Sequence, residues 1–161
     1  MATEEARRGI PSLLAGTGEH IASDVGELIG WTPLVELKKI AGKDGLNARL
    51  VAKLDFYQPL SSVKDRSALR MIEDAEEKGL IKPGVTTLVE PTSGNLGIGI
   101  IVVAIQKGYR FIAVTPAHYS LDKQILMQYL GAEVELTGTN QEIQDNKRLV
   151  KKLLMVGIIL L

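Results

Sequence analysis

Short apolar runs alternate with segments of helical periodicity from Leu50 onward, and glycine or proline marks most of the changes. The helix predicted at 95–107 is almost wholly apolar, so we expect it to be buried on most sides. This alternation is typical of βα units and predicts an α/β fold with a doubly wound, mostly parallel sheet. The predicted strands are 51–54, 86–90, 111–115 and 134–137, and the predicted helices are 64–78, 95–107 and 120–130.

The two ends of the chain depart from this pattern. We predict a flexible N-terminal arm over residues 1–23, an α/β region over 24–137 and a divergent helical and apolar tail over 138–161. Within the tail, the pattern predicts a helix at 141–154, followed by a buried strand or a frayed end at 153–161. That last run has about half the length that a membrane-spanning helix needs, so no membrane association is expected.

Composition removes several classes of function. Lysine plus arginine and aspartate plus glutamate balance at 19 each among 161 residues, so no net field attracts nucleic acid or an anionic membrane. The chain contains no cysteine, which excludes disulfides, a thiol nucleophile and a cysteine-based metal site. The first residues resemble neither a transit peptide nor a secretory signal. We therefore expect a cytoplasmic protein.

Three less common residues suggest little chemistry of their own. His20 and His118 lie far apart and have no acidic partner at ligand spacing, so neither a metal site nor a hydrolase triad is indicated. Trp31 is the only tryptophan, and packing is its default role. We expect no metal site.

The loop Pro91–Asn95 is the first candidate binding site, because ligands of parallel sheets bind at the carboxyl ends of strands. Gly94 can adopt backbone angles closed to other residues. Amides from Ser93 onward would point out of a helix N-terminus, which favours an anion. Thr92 and Ser93 add hydroxyls, and Asn95 adds an amide. The loop suits a carboxylate or a phosphate; an ordinary capped helix start is the alternative.

Lys64 is the second candidate, because it falls at a predicted helix start where the helix dipole opposes its charge and favours the neutral amine. A neutral amine is a nucleophile that forms Schiff bases with carbonyl groups, as with pyridoxal phosphate. Taken alone, a lysine beside an aspartate, as at Lys64 and Asp65, is more often a solvated surface residue. Gly97 and Gly99 fit a dinucleotide fingerprint poorly, and close helix packing is their predicted role.

Four motifs between about Asp24 and Thr137 carry a family resemblance. They are Ile29–Leu34, Ser61–Arg66, Ala75–Ile81 and Glu90–Asn95. In this order and spacing they resemble the plant-type cysteine synthases, also called O-acetylserine sulfhydrylases or O-acetylserine (thiol)lyases. These are pyridoxal-phosphate-dependent enzymes of fold type II.

The resemblance implies a fold, a cofactor and a reaction. The fold would be the small movable domain of the family with the N-terminal part of its large domain. The cofactor would be pyridoxal phosphate, and O-acetylserine would react with sulfide to give cysteine and acetate by β-replacement. Lys64 would be the Schiff-base lysine and proton-transfer base, and Asn95 would hydrogen-bond the ring hydroxyl of the cofactor.

The substrate carboxylate would be held by Thr92, Ser93, Gly94 and Asn95, again by resemblance. Leu96 stands where the family usually has threonine, which removes a hydroxyl from this pocket. The similarity fades after Thr137, before the glycine-rich phosphate cup of the family, so we expect the chain to correspond to the N-terminal half of such an enzyme.

Alternatives follow from that expectation. In one alternative, the chain is a catalytically inactive binding module for serine acetyltransferase or for a full-length cysteine synthase subunit. In another, two copies of the chain form a homodimer. Outside the family, a small anion-binding α/β domain remains as a third interpretation.

Overall fold

The computed structural model describes residues 21–43, 45, 47–92, 94–138 and 159–160 of the chain. Two compact units divide between Val63 and Lys64, inside the region predicted at 24–137. The first unit holds β1 (Leu34–Glu36), α1 (Lys38–Lys43) and β2 (Val51–Lys53). The second holds α2 (Lys64–Glu77), β3 (Thr87–Pro91), α3 (Asn95–Gln106), β4 (Arg110–Pro116), α4 (Leu121–Tyr129), β5 (Glu133–Thr137) and β6 (Ile159–Leu160).

The first unit corrects two expectations. The strand predicted at 51–54 exists as β2, but it pairs antiparallel with β1 and does not open the parallel sheet. Val51 and Lys53 are exposed, whereas strands of a parallel sheet are covered on both faces. Trp31 does not pack in a core either: 53% of it is exposed, and its φ of 49° lies in the left-handed region.

The second unit is built on a parallel sheet with the strand order β5-β4-β3-β6. The apolar residues of this unit form its core. Strand β4 is buried from Phe111 to Pro116, and seven residues of α3 are buried. The largest fully buried side chains include Phe111, Ile72, Leu88, Ile100 and Ile101. The predicted α/β fold with a mostly parallel sheet is confirmed.

The limits of three helices and three strands in this unit fall within one or two residues of the predicted ones: α2, α3, α4, β3, β4 and β5. Gly79 ends α2 with a φ of 67°, a conformation that costs glycine little and other residues more. Ser120, the first residue of the predicted helix 120–130, is the N-cap of α4, and its side chain makes no capping hydrogen bond. Pro116 is the last residue of β4, one residue beyond the predicted strand 111–115.

The strand order reverses at β3. Strands β4 and β5 follow on one side of it, whereas β6 pairs with its other side, at Leu88 and Val89. A strand in the apolar run 153–161 is thus confirmed at 159–160, while the rest of that run and the helix predicted at 141–154 lie outside the described residues. Among the described residues, no helix combines the length and the apolar character needed to cross a membrane.

Candidate functional site

Lys64 is the first residue of α2, and its side chain is exposed. The helix forms because apolar residues recur at helical spacing, and Ala68 and Ile72 on this stripe are completely buried. Asp65 is buried next to the lysine. The first turn therefore lies at the edge of the core, with the Lys64 side chain outside it.

The predicted anion loop follows β3, the strand at which the order of the sheet reverses. The Thr92 N–H donates to the Val114 carbonyl at 2.9 Å, which extends the parallel ladder by one residue. Gly94 is the N-cap of α3, and its carbonyl accepts a hydrogen bond from the Ile98 N–H at 3.2 Å. The amides of residues 95–97 precede that bonded amide and point out of the helix start. Such amides favour an anion.

The loop residues differ in how accessible they are. Asn95 is exposed, Thr92 and Leu96 are half-buried, and Ser93 lies outside the described residues. Gly94 does not use the conformational freedom expected of it, because its φ of −127° and ψ of −165° are extended backbone that other residues adopt. A Cβ at Gly94 would meet open space.

Gly97 allows the loop to lie against its helix. A Cβ at this position would be 2.8 Å from Thr92 Cβ and closer still to the Oγ1 and Cγ2 atoms of the same residue. No side chain fits there unless Thr92 moves. The predicted packing role of Gly97 is confirmed, and its partner is the threonine of the candidate site.

Helices α2 and α3 bring Lys64 and the loop to the same end of the second unit. A Cβ at Gly99 would lie 3.4 Å from the Lys64 carbonyl oxygen, so the first turn of α2 touches α3. At the opposite end, Glu76 accepts hydrogen bonds from Lys107 Nζ and Tyr109 Oη, both at 2.8 Å. The two helices therefore run side by side, and both begin at the carboxyl ends of the strands.

Two polar groups near this end were not identified from the sequence. Burial raises the pKa of Glu90 to about 7. Glu90 pairs in register with Ala113, so Thr115, two residues further along β4, lies on the same face of the sheet. The Thr115 hydroxyl is buried and finds no hydrogen-bond partner among the described residues. The sequence held one signal for this site, because Glu90 is the only charged residue of strand β3.

His118 follows β4 and is exposed, with its ring centroid 4.9 Å from that of Tyr119. His20 lies outside the described residues. Within the ranges that the structure describes, no group of three or more histidine, aspartate or glutamate residues could hold a metal ion.

Comparison with protein families and curated proteins gives a consistent match. Residues 25–157 match the family described as "Pyridoxal-phosphate dependent enzyme". Cystathionine beta-synthase of Oryctolagus cuniculus is 49% identical over 120 residues, which are 74% of this chain and 22% of that protein. The Saccharomyces cerevisiae protein of the same name is 45% identical over 113 residues, which are 70% of this chain and 22% of that protein. The chain thus spans about a fifth of the length of these curated relatives.

Solved structures share the fold. A cysteine synthase from Entamoeba histolytica aligns with a TM-score of 0.79 and 32% identity, over 88% of this chain and 43% of that chain. A hydrogen sulfide-producing enzyme from Fusobacterium nucleatum aligns with a TM-score of 0.77 and 35% identity, over 88% and 45%. The predicted pyridoxal-phosphate family is confirmed. The plant-type cysteine synthase identity is not, since the curated relatives are cystathionine beta-synthases.

Proposed function

The chain belongs to the family of pyridoxal-phosphate dependent enzymes, and from this premise we propose that Lys64 is its cofactor lysine and Thr92–Leu96 its substrate-carboxylate loop. The observation that carries the proposal is the placement of both at one end of the second unit, with the first turn of α2 touching α3 through Gly99. Lys64 and the start of α3 would then contact the same ligand.

The donor set of this end suits pyridoxal phosphate. Lys64 offers a primary amine at the surface, which is the group that condenses with an aldehyde. Asn95 offers an exposed carboxamide that would hydrogen-bond the ring hydroxyl. When bound, the cofactor supplies an electron sink for a carbanion formed at the substrate α-carbon.

The residues of the chain would divide the remaining work. Lys64 Nζ would hold the cofactor and, once displaced by substrate, would accept and return the proton of the substrate α-carbon. The hydroxyl of Thr92 and the amides at the start of α3 would bind the substrate carboxylate. Ser93 and Gly94 would contribute to the same loop. Leu96 is half-buried and adds no hydrogen-bond donor beyond its backbone amide.

The first candidate reaction is β-replacement of O-acetylserine by sulfide, giving cysteine and acetate. Its support is the resemblance of the ordered motifs and the fold shared with a solved cysteine synthase. The 49% identity to a cystathionine beta-synthase supports a second candidate, the formation of cystathionine. Assays for cysteine from O-acetylserine and sulfide, and for cystathionine, distinguish the two.

The loop, in which Asn95 is exposed, also supports a binding function without catalysis. In that function it would capture the carboxylate of a partner such as serine acetyltransferase or join a full-length subunit. Retention of either partner by the folded chain, reduced in Asn95→Ala, would support this candidate. Failure of the folded wild-type chain to retain either would remove it. The cytoplasmic location stays a prediction.

The cofactor proposal is tested by mixing the chain with pyridoxal phosphate and recording its visible absorption. We expect an absorption band that Lys64→Ala abolishes. Lys82→Ala is the matched control, because Lys82 is another exposed lysine of the second unit, and it should leave the band unchanged. A band that persists unaltered in Lys64→Ala, with the fold verified by circular dichroism, contradicts the assignment.

A further inference from the structure

The contact at Gly99 is the closest approach between α2 and α3 that the glycine positions reveal. A Cβ built on Gly99 would lie 3.0 Å from Ala68 Cβ, 3.4 Å from the Lys64 carbonyl oxygen and 3.6 Å from Asp65 Cα. Carbon atoms in ordinary contact lie about 3.5–4.0 Å apart, so even one methyl group would have to push α2 away. The missing side chain at residue 99 sets this spacing.

This contact connects the two parts of the candidate site. Gly99 follows Asn95 by four residues, which places both on the same face of α3, about 6 Å apart along its axis. On α2, Lys64 precedes Ala68 by four residues and shares its face in the same way. The first turn of α2, which carries Lys64, therefore lies beside the start of α3 because residue 99 has no side chain.

We propose that Gly99 is a positioning residue for Lys64: its lack of a side chain sets the distance between the Lys64 amine and the start of α3 at Asn95. The catalytic meaning of this spacing depends on the function proposed above for Lys64. The spacing itself is a property of the two helices and can be tested without cofactor.

The far end of α2 determines how the helix responds to a change at residue 99. Glu76, in the last turn of α2, accepts hydrogen bonds from Lys107 and Tyr109. These bonds hold the end of α2 against the end of α3 and the start of β4. A methyl group at residue 99 would therefore tilt the first turn of α2 outward more than it would shift the whole helix. The displaced turn is the one that carries Lys64.

The test uses Gly99→Ala together with the double variant Gly99→Ala/Ala68→Gly. The second substitution removes the atom that the new methyl group meets at 3.0 Å and leaves only the wider contacts. Gly42→Ala in α1 is the control, because a Cβ there meets nothing within 4 Å and its φ is not positive. All three variants are made in the full chain.

The first readout needs no cofactor. The rate at which a lysine-acylating reagent modifies Lys64, measured by mass spectrometry relative to Lys82, should change about threefold or more in Gly99→Ala and return to the wild-type ratio in the double variant. Amide exchange should rise in the first two turns of α2 and stay unchanged near Glu76. The Gly42→Ala control should match wild type.

The second readout is the apparent dissociation constant for pyridoxal phosphate, taken from the visible absorption. Small misplacements of a reacting group cost up to about a hundredfold in enzymes, and we expect about tenfold weaker binding in Gly99→Ala with recovery in the double variant. If wild type gives no absorption band, the proposed function fails, whereas the acylation ratio still decides the positioning proposal.

A purely structural role for Gly99 has a different outcome. In that case Gly99→Ala lowers the free energy of unfolding but leaves the Lys64 acylation ratio and the cofactor affinity at their wild-type values. That result overturns the proposal. Equal changes in the single and the double variant also overturn it, since the effect would then not arise from the contact with Ala68.

Discussion

The two units of this chain are stabilised in different ways. In the second unit apolar side chains such as Leu88 and Ile101 are completely buried, and the sheet is covered along its central strands. In the described part of the first unit the buried side chains are polar: Thr32, Gln58 and Ser62. The difference indicates that the second unit, which carries Lys64 and the loop, has the core needed to hold a site rigidly.

Hydrogen bonds take the place of a core in the first unit. The Gly30 N–H donates to Gln58 Oε1 at 2.9 Å, the Thr32 hydroxyl donates to Asp55 Oδ1 at 3.2 Å, and Lys53 Nζ donates to the Thr32 carbonyl at 3.0 Å. These bonds surround Trp31, whose left-handed backbone is unfavourable for a bulky residue. The first unit should therefore be the more easily opened of the two.

The largest expected effect comes from a matched pair of leucines in strands. Leu88 in β3 is fully buried, whereas Leu34 in β1 is 66% exposed. Leu88→Ala should lower the free energy of unfolding by about 3 to 5 kcal/mol, because it leaves a cavity. Leu34→Ala should change it by less than about 0.5 kcal/mol. Urea unfolding of both variants measures the contrast, and equal losses would remove the distinction between the units.

An intermediate effect is expected from Gln58→Ala. Removing its carboxamide leaves the Gly30 N–H without its acceptor, which costs about 1 to 3 kcal/mol, or about 5- to 150-fold in an opening equilibrium. The Leu37 N–H donates to the Leu50 carbonyl beside the paired strands β1 and β2, and its amide should exchange faster by a factor in this range, while the amide of Thr92 should not change. Gln128→Ala, at an exposed glutamine of α4, is the control. Acceleration of both amides alike would show that the units open together.

The smallest effect is a pH dependence confined to the second unit. Glu90 has a pKa of about 7 in the folded chain, raised by burial from 4.5, so between these values the folded state holds a proton that the unfolded chain has lost. The contribution of Glu90 to the free energy of unfolding is fully present below pH 4.5 and is lost as the pH rises towards 7. Partial exposure to water keeps the effect modest.

Glu90→Gln isolates this contribution. Relative to wild type, the variant should gain stability steadily from about pH 4.5 to about pH 7 and remain level above that. The exposed Glu135→Gln serves as the control and should follow the wild-type profile. A constant difference between Glu90→Gln and wild type across this range would refute the assignment.

The sequence pattern predicted the second unit better than the first for a physical reason. Helices of three to four turns and strands covered on both faces leave long periodic signals, so α2, α3 and the strands β3, β4 and β5 were predicted to within one or two residues. Strands of three residues leave almost no period, and the antiparallel pairing of β2 with β1 was missed. Its partner lies too far back in the chain for a local pattern to reveal it.

The candidate site shows the same limit. The positions of Lys64 and of the loop followed from helix starts and strand ends, which are local features. The contact of Gly99 with the Lys64 turn depends on how two helices pack, and the raised pKa of Glu90 depends on burial; neither is a property of a short sequence window. Close packing was predicted for Gly99, but its partner was not.

The central claim is that one lysine of the second unit, Lys64, binds pyridoxal phosphate. The most direct measurement is to incubate the chain with the cofactor, reduce with borohydride and locate the modified lysine by peptide mass spectrometry. We predict that the pyridoxyl group is found on Lys64 at low cofactor concentration. A label spread evenly over exposed lysines such as Lys78 and Lys82, and undiminished in Lys64→Ala, would contradict it.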